Sequence, residues 1–270
     1  MYLLAFAALA VWETLRPRRE LVASTARRWC GNALLIVATQ FLFVWLVPLS
    51  SLITAYSARE SGWGLLNHSF IPLAVQGLLG ILAQDYTRYV QHYLLHALGP
   101  LWRIHRIHHS DVDMDVTTGV RHHPLESLFA LAAYLPVVWL LGAPPLAVVG
   151  YELFQIFHVF FSHSNIAMPA SLDGAVRRFV VTPDMHRVHH SDREEESRRN
   201  YGQAFSFWDR LLGTYQAQPQ DGHQFMGIGI QGFQDARSIN ALRMLGWPFH
   251  NSAMGGSKAD QQYIRQRSNC

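Results

Sequence analysis

Hydrophobic positions along this chain gather into long unbroken stretches, without the two-residue alternation of half-exposed strands. No Asp, Glu, Lys or Arg occurs between Arg28 and Arg59, between Glu60 and Asp85, or between Glu126 and Glu152. Each gap exceeds the roughly 20 apolar residues that a helix needs to cross a bilayer. The apolar run Leu153 to Phe161 extends the third gap, and Pro144-Pro145 falls midway, where a helical hairpin would turn. A shorter apolar stretch, Tyr2 to Trp12, opens the chain. It has no positive segment ahead of it and no small-residue cleavage site, so it reads as a short anchor helix and not as a signal peptide. The pattern predicts an all-α fold: an integral membrane helical bundle of about four transmembrane helices plus the short N-terminal helix, with a cytoplasmic helical cap.

The polar positions orient this bundle. Arg16, Arg18, Arg19, Arg27 and Arg28 form a basic segment that the positive-inside rule places in the cytoplasm. The loop around Tyr56 to Asn67 carries only Arg59, and the turn Gly142 to Pro145 is uncharged, so both face outside. The segments from Arg88 to Arg121 and beyond Ser164 are arginine-rich and face the cytoplasm. The formal net charge is +3. Because the arginines flank spans, where they meet anionic headgroups, no nucleic-acid partner is expected. Cys30 and Cys270 form no pair motif, which argues against a disulfide framework or a thiolate metal site. Gly227 to Gly232 matches G-x-G-x-x-G, but without the strand before it or the acidic partner after it the match reads as chance.

Histidine changes the picture. Eight of the fifteen histidines sit in three tight groups: His92-x3-His96, His105-x2-His108-His109 and His186-x2-His189-His190. Positions i, i+3 and i+4 share a helix face, so each triad is expected to present three imidazoles to one point. Eight imidazoles exceed the needs of one ion, which predicts a dimetal site on the cytoplasmic side. Thr182-Pro183-Asp184 is expected to start the helix of the last triad, and Gly99-Pro100 to separate the pair from the first triad. Further ligands are sought among His122, His123, His158 and His163. Pro124 restricts His123 to extended backbone and fixes its direction, which favours it over its neighbour, with His122 stacking nearby. His158 and His163 lie about 140° apart around a helix; His163 is level with the clusters, while His158 lies deeper. His68, His223 and His250 stand isolated and read as ordinary packed or interfacial residues. Carboxylates are expected behind the imidazoles, and Asp85, Asp111, Asp184 and Asp192 flank the clusters closely enough. Trp102 and Trp208 are expected to shape a dry lipid channel.

These residues resemble the fatty acid hydroxylase superfamily, in particular its sterol desaturase-like branch. The resemblance runs from about Gln84 to Tyr215. It rests on Asp85-Tyr86, the three histidine groups, Leu101-Trp102-Arg103, Arg121-His122-His123-Pro124-Leu125-Glu126, His163-Ser164-Asn165, Asn200-Tyr201-Gly202 and Trp208-Asp209-Arg210 through Gly213-Thr214-Tyr215. It implies an oxygen-dependent, non-haem diiron membrane enzyme that hydroxylates or desaturates a lipid. Two Fe ions would be held by His92, His96, His105, His108, His109, His186, His189 and His190, with His163 and His123 completing the set and His158 the alternative to His123. O2 is the implied co-substrate, and a separate electron-donor protein (cytochrome b5-like, a ferredoxin or a reductase) the implied partner. The chain then divides into N-terminal transmembrane helices (1–83), a catalytic domain (84–215) containing a transmembrane hairpin at about 127–162, and a C-terminal cytoplasmic extension (216–270), disordered from Gly255. Few lysines and short loops point to a bacterial inner membrane; in a eukaryote the same topology fits the endoplasmic reticulum. The competing class is a non-oxidative metal protein. A transporter should place ionisable groups in mobile spans, and a zinc hydrolase should show a motif such as HExxH, which is absent.

Overall fold

The computed structural model describes residues 2–46, 50–68, 70–233 and 236–249; the expected tail from Gly255 and His250 lie outside the described residues. The described chain is helical, with three isolated bridge pairs and no strand. In order come α1 (Tyr2–Leu15), α2 (Thr25–Leu46), α3 (Ser50–Glu60), α4 (Leu73–Ala97), α5 (Gly99–His109), α6 (Pro124–Leu141), α7 (Pro145–His163), α8 (Ala170–Val176) and α9 (Pro183–His189), followed by short helical turns.

Among the described residues two helices, α6 and α7, are long and apolar enough to cross a membrane, and they are joined by a short turn that ends at Pro144-Pro145. Less than a third of either is buried, so their apolar surface faces outward, unlike a soluble core helix. The other two charge-free gaps do not fold as single uninterrupted helices. The gap from Arg28 to Arg59 is shared between α2 and α3. In the gap from Glu60 to Asp85, residues 61–68 and 70–72 are non-helical, and α4 begins only after Pro72, which supplies the extended N-cap (φ −57°, ψ 140°). That segment seats on the hairpin's tip: the Leu65 and Leu66 N–H groups donate to the Leu140 and Leu141 carbonyls at 3.0 and 2.8 Å, satisfying the end of α6. Gly142 closes α6 in the left-handed conformation (φ 59°), where a Cβ would lie 2.4 Å from the Trp63 carbonyl oxygen.

α4 packs against α6 and α7, α3 packs on the same hairpin, and α5 turns back against α4. The corner is Leu98, extended at φ −106° and ψ 116°, which ends α4 and begins α5 with Pro100 in the first turn. α9 lies against the end of α7, its Thr182 hydroxyl accepting from Met185 N. The ends of α4, α5, α7 and α9 thereby meet at one place.

A second framework ties the N-terminal arginines to the loop after α5. Arg28, fully buried, pairs with Asp111 (2.7 Å) and Asp115 (2.5 Å). Burial alone would raise the Asp111 carboxyl, but Arg28 and Arg121 outweigh it and hold it at about 2. Arg121 spans from the Ile107 carbonyl (2.8 Å) to Asn32 of α2 (2.9 Å).

Candidate metal centre

The meeting point is lined by imidazoles in two adjoining nests. One holds His92, His96, His105, His109 and His189, the other His108, His163, His186 and His190. All nine are buried. Neither HxxHH triad points at a single place, which corrects the expectation of three imidazoles per point. His105 and His109 face the first nest while His108 faces the second; His186 and His190 face the second while His189 returns to the first. The reason is angular: residues four apart lie about 40° apart around a helix, whereas adjacent ones lie about 100° apart and diverge. The nests touch through His109 and His190, stacked with centroids 4.6 Å apart.

Partners on the outward nitrogens fix the tautomers. His92 Nδ1 lies 2.8 Å from the Tyr201 carbonyl, His189 Nδ1 2.7 Å from that of Arg199, and His163 Nδ1 2.8 Å from that of Val159. A carbonyl only accepts, so the Nδ1 of His189 and of His163 carries the proton and Nε2 presents a lone pair inward; His92 Nδ1 also lies 2.9 Å from the Gln203 amide nitrogen. Asn200 makes two of these contacts possible. It is left-handed (φ 56°), held by its amide to the Met185 and Gln216 carbonyls (2.9 and 2.8 Å), and it turns the carbonyls on either side of it towards the nest. The Nε2 atoms of His92, His96 and His189 and both nitrogens of His190 are buried without partners. Elsewhere Nε2 atoms face one another, His105 to His109 and His108 to His163 at 3.2 Å, and His163 to His186 at 2.9 Å.

This is the arrangement of ligand sets. Within each nest the ligand nitrogens all lie within 4.8 Å of one another. With metal–nitrogen bonds of about 2 Å, opposite ligands of one ion are about 4 Å apart, so each nest has the dimensions to hold one ion after small side-chain shifts. Burial, then neighbouring histidines, hold His109, His186 and His190 well below the ordinary imidazole range, and burial pushes His189 down to about 3. These four imidazoles are therefore neutral near pH 7, the form that ligates.

His123 and His158, the two candidates for a tenth position, lie outside both nests. Pro124 does hold His123 extended (φ −70°, ψ 141°), but that turns its ring back onto the start of α6. There its Nδ1 accepts from Leu125 N at 3.1 Å and its Nε2 faces the Leu245 carbonyl at 3.2 Å. His158, one turn and a half from His163, packs between Phe154 and Phe161. His122 instead stacks on His108 at 4.6 Å and reaches Glu126 Oε1 at 2.9 Å, an atom that also accepts from His105 Nδ1 at 2.8 Å.

Of the acids expected behind the imidazoles, three are engaged elsewhere. Asp85 accepts from Tyr151, Trp208 and Phe205 N, Asp111 from Arg28, and Asp184 from Arg18 and Arg187. Asp192 donates its backbone N–H to Gly227. Glu126 was overlooked, although its position four residues after His122 at the start of an apolar helix was a readable signal. Neither Trp102 nor Trp208 lines the cavity between α4, α6 and α7: Trp102 covers His96 and His109 (5.0 and 5.5 Å), and Trp208 donates to Asp85 at 2.8 Å.

Two cavities approach the nests. One of about 540 Å³ runs between α4, α6 and α7 and reaches His92, His105, His108 and His163. The other, of about 720 Å³, reaches His96 and His109 past Trp102 and is lined by the charged stretch Asp192 to Glu195. Gly119 closes the first over His163: a Cβ there would lie 2.9 Å from the Val159 oxygen and 3.2 Å from His163 Nδ1.

Comparison with known proteins bears on what such a centre does. The chain is 33% identical over 157 residues to the ornithine lipid hydroxylase OlsE of Rhizobium tropici, covering 58% of this chain and 46% of that one. It is 27% identical over 137 residues to the alkylglycerol monooxygenase of Homo sapiens, covering 51% and 30%. It is 30% identical over 145 residues to the very-long-chain aldehyde decarbonylase GL1-9 of Oryza sativa subsp. japonica, covering 53% and 55%. The chain thus matches about half or less of the length of these relatives. No solved structure matches. The family model for fatty acid hydroxylases matches residues 77–214, just over half of the chain and the stretch that carries all nine nest histidines, so the chain belongs to the fatty acid hydroxylase family.

Proposed function

We propose that this protein is a multi-pass membrane oxygenase that hydroxylates a lipid, with one iron ion in each histidine nest and the nests on the cytoplasmic side. The observation that carries the reading is the pair of nests itself: nine buried imidazoles, several with unpartnered inward nitrogens, opening onto a cavity enclosed by apolar helices. The printed activities of the relatives, a lipid hydroxylase and a monooxygenase among them, support it. When bound, an iron pair with O2 supplies the oxidant for an unactivated C–H bond: one oxygen atom enters the bond and the other leaves as water, using two electrons and two protons from a separate donor protein.

The chain's own residues do the rest. The Tyr201, Arg199 and Val159 carbonyls and Glu126 hold ligand imidazoles in orientation, as partners behind a metal site generally do. α6 and α7 exclude water from the side on which a lipid chain approaches. The charged cavity beside Trp102 offers the donor protein a polar approach. Iron itself is inferred from this chemistry, since imidazole also suits zinc, copper and nickel.

The test is metal analysis of the chain purified in detergent under anaerobic conditions, together with lipid profiling of cells with and without it. Two irons per chain and a lipid shifted by one oxygen atom are expected. A zinc protein that gains no activity on iron loading favours the hydrolase or transporter class and overturns the proposal.

A further inference from the structure

A cavity serving only hydrocarbon would be walled by apolar side chains, and the cavity between α4, α6 and α7 is not. α7 presents Glu152, Gln155, Ile156, Val159 and Phe160 to it, a stripe at helical spacing that ends at His163. At 1.5 Å per residue, Gln155 lies roughly 12 Å and Glu152 roughly 16 Å along the helix from His163. α4 adds Arg88, one turn before His92, and α6 adds Tyr134, eight residues after Glu126. The polar end is thus remote from the nests but in the same space.

These groups have unused bonding capacity. The Arg88 guanidinium carbon sits 4.7 Å over the Tyr134 ring and the group hydrogen-bonds to that side chain; Arg88 forms no ion pair among the described residues, and its buried Nε has no partner. Gln155 is 5% exposed, its Nε2 reaches only Gln203 Oε1 at 3.4 Å, and its Oε1 has no partner. Glu152 accepts from the Ser51 hydroxyl at 2.9 Å through one oxygen. An alkyl chain lying here would leave the buried Arg88 Nε and the buried Gln155 Oε1 unsatisfied, a loss that hydrocarbon contacts do not offset. The guanidinium donates, the carboxylate accepts and the amide does either, and the opposite charges of Arg88 and Glu152 sum to zero.

We propose that Arg88, Gln155 and Glu152 form a polar-group subsite for a net-neutral group that both accepts and donates hydrogen bonds, such as an amide or a hydroxy-ester. The substrate class is accordingly an amphiphile whose polar linkage enters the bundle while another of its carbons reaches the nests. A plain hydrocarbon or an ionised fatty acid does not meet this requirement. The assignment rests on the reading of the nests as the oxidation centre, because that reading makes the cavity a substrate site.

The test uses the full chain in lipid nanodiscs, tritiated N-dodecanoylethanolamine as the probe, and unlabelled dodecane and dodecanoate as competitors, with metal content measured on the same samples. The expected results are saturable probe binding, weakened about ten-fold by Arg88→Met and by Gln155→Leu and partly restored in Arg88→Lys, with metal content unchanged. Dodecane and dodecanoate should compete about ten-fold more weakly than unlabelled probe. The competitor comparison needs only the unaltered chain, so a variant that fails to fold does not remove the test. Equal competition by dodecane, or unaltered binding in well-folded Arg88→Met and Gln155→Leu, overturns the subsite. Two irons per chain with no polar preference would reject the subsite alone; a clear polar preference in a chain that takes up no iron would reject the oxidation reading instead.

Discussion

Replacing Glu126 by alanine separates the two nests experimentally. Glu126 is 4% exposed, and its Oε1 accepts from His105 Nδ1 at 2.8 Å and His122 Nδ1 at 2.9 Å. Alanine leaves both N–H groups without that acceptor, at about 1–3 kcal/mol for each that stays buried and unpaired. Only the His105 share reaches a nest directly, because His122 belongs to neither. Removing the partner behind a ligating imidazole lowers metal affinity about 10–100-fold, equivalent to roughly 1.4–2.7 kcal/mol. The five-histidine nest should therefore hold its ion that much more weakly, while the four-histidine nest, which has no member bonded to Glu126, should retain its own. Glu126→Gln keeps an acceptor oxygen without the charge and should fall between alanine and the unaltered chain. Equilibrium dialysis against buffered metal, read as ions per chain, shows whether binding separates into one tight and one weakened step. Parallel loss of both ions, or unchanged affinity accompanied by a lower Tm, would refute the reasoning.

Two further outcomes follow from side chains near the nests. His123→Ala should leave two ions per chain and remove only the cap on α6, at about 0.5–2 kcal/mol; metal analysis beside a melting curve checks this, and loss of an ion contradicts the placement. Asp209, which accepts from Tyr201 N, Gly202 N and Thr214, is pushed up to about 6, chiefly by burial. Because the folded chain holds this proton more tightly than the unfolded chain, the contribution of Asp209 to stability falls as pH rises from about 4 to about 6. Melting curves across that window should be flatter for Asp209→Asn, and an identical slope rejects the assignment.

Much of the site was legible because its signals are local. The HxxxH spacing, the Gly99-Pro100 corner and the Thr182-Pro183 start are properties of short segments, and the structure places them as expected, whereas each HxxHH triad is split between two nests. The division of each triad between two nests follows from the offsets along a single helix, but which nest each histidine joins needed the packing of the other helices, which no single segment encodes. His123 misled because the same proline that fixes its direction also makes it the N-cap of α6. The carbonyls of Arg199, Tyr201 and Val159 carry no residue-type signature, so only folded backbone reveals them. In the bundle, charge-free length marked α6 and α7 correctly but did not reveal the non-helical segment before Pro72, where glycines and proline override hydropathy.

The buried contacts of the N-terminal arm set a boundary on how this histidine centre can be divided. Glu13 accepts from Val116 N and Asn165 N, Arg18 pairs with Asp184 two residues before His186, and Arg28 pairs with Asp111 two residues after His109. All three anchors precede the matched stretch 77–214. A chimera that grafts only that stretch onto a relative's leading helices would strand Asp111 and Asp115 without their guanidinium. Exchange between relatives should succeed only when the arm travels together with the histidine segments it fastens.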